Sequence, residues 1–169
     1  APGILHLASH GLHIALPGSR DLGADPSVLY ENGLLLAPGG EDDGILFPEE
    51  IGTLNLRGTR LVTLSTCRSA LGRPIGGEGL LGLRRGFAKA GARHILASLW
   101  EIPDEATARL MTSFYRALAK GEPPAATLWR LQAEQFRPLR NEEVRSAKLE
   151  TAILSYGGFL LTSPGGTSR

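Results

Sequence analysis

Apolar, β-branched runs alternate along this chain with stretches of helical periodicity, and that alternation restricts the fold more than any other feature. Arg60-Leu61-Val62-Thr63-Leu64-Ser65 is the clearest strand. A Gly-rich loop through Gly72, Gly76 and Gly77 follows it. Glu78 to Ala90 then carries Leu80, Leu81, Leu83 and Phe87 at helical spacing and stops at Gly91. Arg93 to Ser98 returns to strand. Pro103 to Ala119 reads as an amphipathic helix, with Ala106, Leu110, Phe114 and Leu118 recurring on one face. Further helices are expected over Pro124–Phe136 and Asn141–Leu149, and a last strand at Phe159-Leu160-Leu161. At the other end, Ile4–Ala8 reads as a short buried strand ending at Ser9-His10-Gly11, and Leu12–Asn32 as an irregular excursion. Gly33–Ala37 and Gly44–Phe47 flank a Pro-Gly-Gly turn and suggest a hairpin, with a helical turn at Pro48–Ile51. Strands joined by helices imply an α/β fold, a mostly parallel sheet with helices on both faces. Sites in such sheets form at the carboxyl ends of the strands, where His10 and Cys67 fall.

The 169 residues form one expected domain, and no internal boundary or repeat is visible. Lys and Arg number 18 against 17 Asp and Glu, so the net charge of +1 gives no reason to expect nucleic acid or an anionic membrane as partner. No run reaches the roughly 18 apolar residues of a membrane span. Cys67 is the sole cysteine, which rules out an intrachain disulfide and fits a reducing, cytoplasmic setting. The chain opens without Met and enters a strand almost at once, so the expectation is a piece, the C-terminal part, of a longer protein.

A thiol that can lose its proton and an imidazole that can protonate a departing amine are what a cysteine peptidase needs. Ser65-Thr66-Cys67-Arg68-Ser69 sets the thiol just past a buried strand, and Ser9-His10-Gly11 sets the imidazole beside a residue with a bare backbone. His10 precedes Cys67 by about 57 residues, against roughly 50 between the His and the Q-A-C-[RQG]-G nucleophile of caspases. The pentapeptide around Cys67 departs from that string, so the chain is not a caspase by motif.

Ile4-Leu5-His6-Leu7-Ala8-Ser9-His10-Gly11, followed by Leu61-Val62-Thr63-Leu64-Ser65-Thr66-Cys67-Arg68-Ser69-Ala70-Leu71-Gly72, resembles the CHAT-domain peptidases, caspase-like proteins often joined to tetratricopeptide repeats. Gly77-Glu78-Gly79-Leu80-Leu81-Gly82-Leu83, Ala90-Gly91-Ala92-Arg93, Ala97-Ser98-Leu99-Trp100, Asp104-Glu105-Ala106-Thr107 and Phe114-Tyr115 extend the likeness, which runs from Ile4 to about Phe136. Tyr156-Gly157-Gly158-Phe159-Leu160-Leu161 is glycine-rich where such proteins carry bulkier aromatic residues. The resemblance implies a caspase–hemoglobinase fold, here without its first strand and helix, and a Cys–His dyad. It implies Cys67 as nucleophile, His10 as general acid/base, and the backbone N–H groups of Gly11 and Cys67 as an oxyanion hole. Ser65, Ser98, Leu99, Trp100 and Glu101 would line the substrate site. A protein substrate, no cofactor and tetratricopeptide repeats in the remainder of the chain follow from the same likeness, as does a regulated prokaryotic effector in defence or cell death.

Other signals have plainer readings. His6 is expected to be a packed, hydrogen-bonded core or near-core histidine of the first strand. His10-x-x-His13 supplies too few ligands for zinc. Gly76–Gly82 lacks the Lys-Ser/Thr of a phosphate loop. Asp104 reads as a first-turn helix acid; the sharper alternative is that Glu101 or Asp104 holds a basic residue at the cleavage position. The rival functions are a catalytically silent CHAT-like scaffold and a nucleotide-binding α/β switch module.

Overall fold

A computed structural model describes residues 1–15, 30–40, 43–67, 78–100, 102–137 and 145–163. Its sheet is built from β1 (Ile4–Ala15), β2 (Tyr30–Leu35), β3 (Ile45–Leu46), β4 (Leu61–Cys67), β5 (Ile95–Ser98) and β6 (Phe159–Thr162). Among the described residues these form one six-stranded sheet in the order β3-β2-β1-β4-β5-β6. β1, β4 and β5 run parallel, while β2 and β3 extend the sheet antiparallel. Together with α1 (Pro48–Ile51), α2 (Glu78–Lys89), α3 (Asp104–Ala119), α4 (Pro124–Phe136) and α5 (Arg145–Ala152), this is the expected mixed α/β architecture with helices flanking a sheet.

The chain divides into two compact units, the first comprising residues 1–101 and 162–169 and the second residues 102–161. In the first unit, strand alternation sorts β1 into two faces. Leu5 and Leu7 pack against a buried cluster that includes Val62 and Leu64 of β4, Ile95 and Ala97 of β5, Ile51 of α1, and Leu83 and Phe87 of α2. Leu83 and Phe87 stand four residues apart, so one stripe of α2 meets the sheet. α1 begins where the Glu50 carboxylate accepts the Phe47 N–H at 2.8 Å, half of a capping box, with Pro48 at the first helical position. Gly91, at φ +101°, ends α2 in a Schellman turn: Ala92 N–H donates to Phe87 O and Gly91 N–H to Ala88 O. That turn hands the chain to β5, which is tied to β4 by Val62 N–H donating to His94 O at 2.9 Å.

In the second unit α3 buries Ala106, Leu110, Met111, Phe114 and Ala117, and α4 buries Thr127, Leu128 and Leu131. α3 closes in the same kind of turn at Gly121, φ +87°. A π-helical turn at Ile153–Gly157 follows α5, and Gln132 of α4 donates to the carbonyls of Tyr156 and Phe159. No described helix is long and apolar enough to cross a membrane.

Three expectations are corrected. The first strand does not stop at Ser9-His10-Gly11 but continues to Ala15, because Gly11–Ala15 find backbone partners on β2 from Leu34 back to Tyr30. Leu12–Ala15 and Tyr30–Asn32 are therefore strand rather than irregular, while 16–29 lies outside the described residues. Nor is β1 buried on both sides: Ile4, His6, Ala8 and His10 are exposed, so His6 is no core histidine. The expected helix over 141–149 starts at Arg145 among the described residues and extends to Ala152.

Candidate active site

The parallel register of β1 on β4 runs Ile4–Leu61, His6–Thr63, Ala8–Ser65 and, last, His10–Cys67. The two candidate catalytic residues are thus Cα partners on adjacent strands, a lateral spacing of about 4.8 Å. Register here is set by burial, since Val62 and Leu64 must meet Leu5 and Leu7 on the core face; a one-residue slip of β1 would turn Leu5 and Leu7 to the opposite face. Cys67 is the final residue of β4. Gly11 is the first β1 residue beyond the β1–β4 pairing, half-buried, next to His10.

On its other side His10 faces Leu35 of β2, so the imidazole position is bracketed by a cysteine and a leucine. Leu35 is 38% exposed, an apolar surface beside an exposed histidine, and sequence reasoning missed it. The only signal was the apolar run Gly33–Ala37, whose partner strand lies across the 16–29 segment. The Ser9 hydroxyl donates to the Leu35 carbonyl and fastens β1 to β2 immediately before His10.

Ser65, the Cα partner of Ala8 and two residues before Cys67, is half-buried on the same sheet face as exposed Ala8 and His10. One strand further, Ser98 ends β5 half-buried, Leu99 beyond it is 44% exposed, and Trp100 is half-buried. His10, Gly11, Ser65 and Cys67 are therefore gathered on β1 and β4, with Ser98 and Leu99 at the same end of β5. Asp104 opens α3 in the second unit, exposed, where it and Glu105 complement the positive end of the helix dipole. Glu101, Arg68, Ser69 and the Gly72–Gly77 loop lie outside the described residues.

Partial burial holds the His6 imidazole below the ordinary histidine value. Among the described residues no three His, Cys, Asp or Glu side chains gather as metal ligands would.

The model of the CHAT domain family matches residues 1–151, most of the chain, and both register-paired residues fall inside the match. The chain belongs to the CHAT-domain family. CHAT domains are related to caspase-like cysteine peptidases, and the six-stranded sheet with flanking helices agrees with that fold. Mouse tetratricopeptide repeat protein 28 is 38% identical over 76 residues, a match covering 44% of this chain and 3% of that protein. The chain thus spans a small fraction of the curated relative it matches.

Proposed function

We propose that this CHAT domain is a cysteine endopeptidase in which Cys67 and His10 act as a dyad. The observation that supports this most is the His10–Cys67 register pair at the point where β4 ends and β1 continues. The Cys67 thiol gives its proton to His10, its sulfur attacks the scissile carbonyl carbon, and the oxygen takes up the charge of the tetrahedral intermediate. The N–H groups of Gly11 and Cys67 are the proposed donors to that oxygen. The intermediate collapses by breaking the C–N bond, and the leaving amine takes its proton from the His10 imidazolium. A thioester remains. Water, deprotonated by His10, attacks the thioester and releases the carboxylic acid and the free thiol. No metal or organic cofactor enters any step.

Ser65, Ser98, Leu99, Trp100 and Glu101 form the proposed substrate contacts, with Glu101 as the acidic group for a basic residue before the cut. The protein is proposed to act in the cytoplasm as a regulated effector of defence or cell death, alongside tetratricopeptide repeats in the intact polypeptide. A peptide library tests the activity. Cleavage by the wild-type chain that is lost in Cys67→Ala, with circular dichroism unchanged, is the expected result. Cleavage that survives the substitution would sink the dyad, and a fold-intact wild type that cuts nothing would favour a silent scaffold.

A further inference from the structure

Where the chain returns to the first unit at Thr162 and Ser163, an arginine and a histidine each meet one of two adjacent hydroxyls. Arg84 of α2 donates from Nε to Thr162 Oγ1 at 3.3 Å, and that hydroxyl donates in turn to the Ile95 carbonyl at 3.4 Å. His94 Nδ1 lies 2.7 Å from Ser163 Oγ. Burial, and then the neighbouring Arg93 charge, lower the His94 pKa. The imidazole is therefore neutral near pH 7 and hydrogen-bonded to the Ser163 hydroxyl. The ion pairs among the described residues lie elsewhere, at Arg109–Glu105 and at Arg130 with Glu122 and Glu134, so no described carboxylate neutralises Arg84 or Arg93. Exposed Ser163 is thus hydrogen-bonded to His94, whose electrostatics register the Arg93 charge, and it follows directly on Thr162, which Arg84 holds.

The sequence adds a second observation. Pro164 follows Ser163, and a residue before proline is confined to extended backbone, the form in which kinases take their substrates. We propose that Ser163 is a phosphoacceptor and that Arg93, His94 and Arg84 form the receptor for its phosphoryl group. A nucleoside triphosphate supplies the group: the Ser163 oxygen bonds the γ-phosphorus, the bridging P–O bond breaks, the diphosphate leaves, and the hydroxyl proton is released. The new dianion replaces a neutral hydrogen bond with charge-assisted ones to Arg93 and to a protonated His94. Modification therefore fastens the end of β6 to the start of β5. This does not depend on whether the chain cleaves peptides.

The test has two arms on the 169-residue chain. In the first, a proline-directed serine/threonine kinase and ATP are added, with a standard substrate peptide confirming that the kinase is active, and the phosphate is mapped by mass spectrometry. The expected result is stoichiometric label on Ser163, absent in Ser163→Ala. In the second, phosphoserine is installed at position 163 during translation and the His94 ring is titrated by NMR. The expected result is a midpoint moved from below to above the ordinary histidine value of about 6.5, with a smaller rise in Arg93→Gln. No label on Ser163 overturns the proposal, and so does a His94 midpoint that stays or falls when the phosphoryl group is present.

Discussion

His10 occupies the middle of three strands, with Cys67 opposite it on β4 and Leu35 on β2. If the imidazole is the acid that protonates the leaving amine, His10→Ala should lower kcat on a cleaved peptide about 10²- to 10⁴-fold while changing KM little. Steady-state kinetics on the best library peptide reads both, and a loss confined to KM would mean that His10 only binds substrate. The pair is legible in the sequence because chemistry marks it: a lone thiol just past an apolar run and a histidine beside a glycine are visible in one dimension. Leu35 is not, because what makes it a neighbour of His10 is antiparallel pairing across about 25 positions. His6 misleads for the opposite reason. Its strand neighbours are apolar, but alternation places it with Ile4 and Ala8 on the exposed face.

Among the elements, α2 shows how closely the first unit is packed. A Cβ on Gly86 would lie 2.6 Å from the Pro48 backbone oxygen, whereas one on Gly82 would meet only the Pro48 ring at 3.4 Å. The same substitution on one helix should therefore have opposite signs. Gly86→Ala must move α1 away and costs about 1–3 kcal/mol. Gly82→Ala keeps the contact and gains helix propensity, up to about 1 kcal/mol. Urea unfolding of the two variants measures this, and equal shifts in the same direction would mean that α1 does not press on α2 as described. Helices of this kind are readable to within a few residues, since Leu83 and Phe87 mark the buried stripe and Gly91 the stop. β1 reads short because Gly11 and the polar residues around it look like a turn. Its continuation is fixed by β2, a partner that local pattern does not reveal.

For the whole molecule, two histidines bias stability with pH. His6 and His94 are both held below their ordinary value, so between the folded and unfolded pKa the unfolded chain binds more protons. Stability is complete above the unfolded value of about 6.5 and declines as pH falls below it through the folded values. The melting temperature should drop from pH 7.5 to pH 5.5, and His6→Gln with His94→Gln should flatten that drop. A profile unchanged by both substitutions would assign the acid sensitivity to other groups.

In the proposed dyad Cys67 and His10 work as one chemical unit, and the absence of any second thiol makes that directly measurable. The rate of Cys67 alkylation by iodoacetamide, followed from pH 4 to 10, reports thiolate alone. A coupled dyad predicts an inflection below the roughly 8.5 of a free cysteine, shifted upward in His10→Ala. Superimposable curves for the two proteins, both rising near the free-cysteine value, would contradict it.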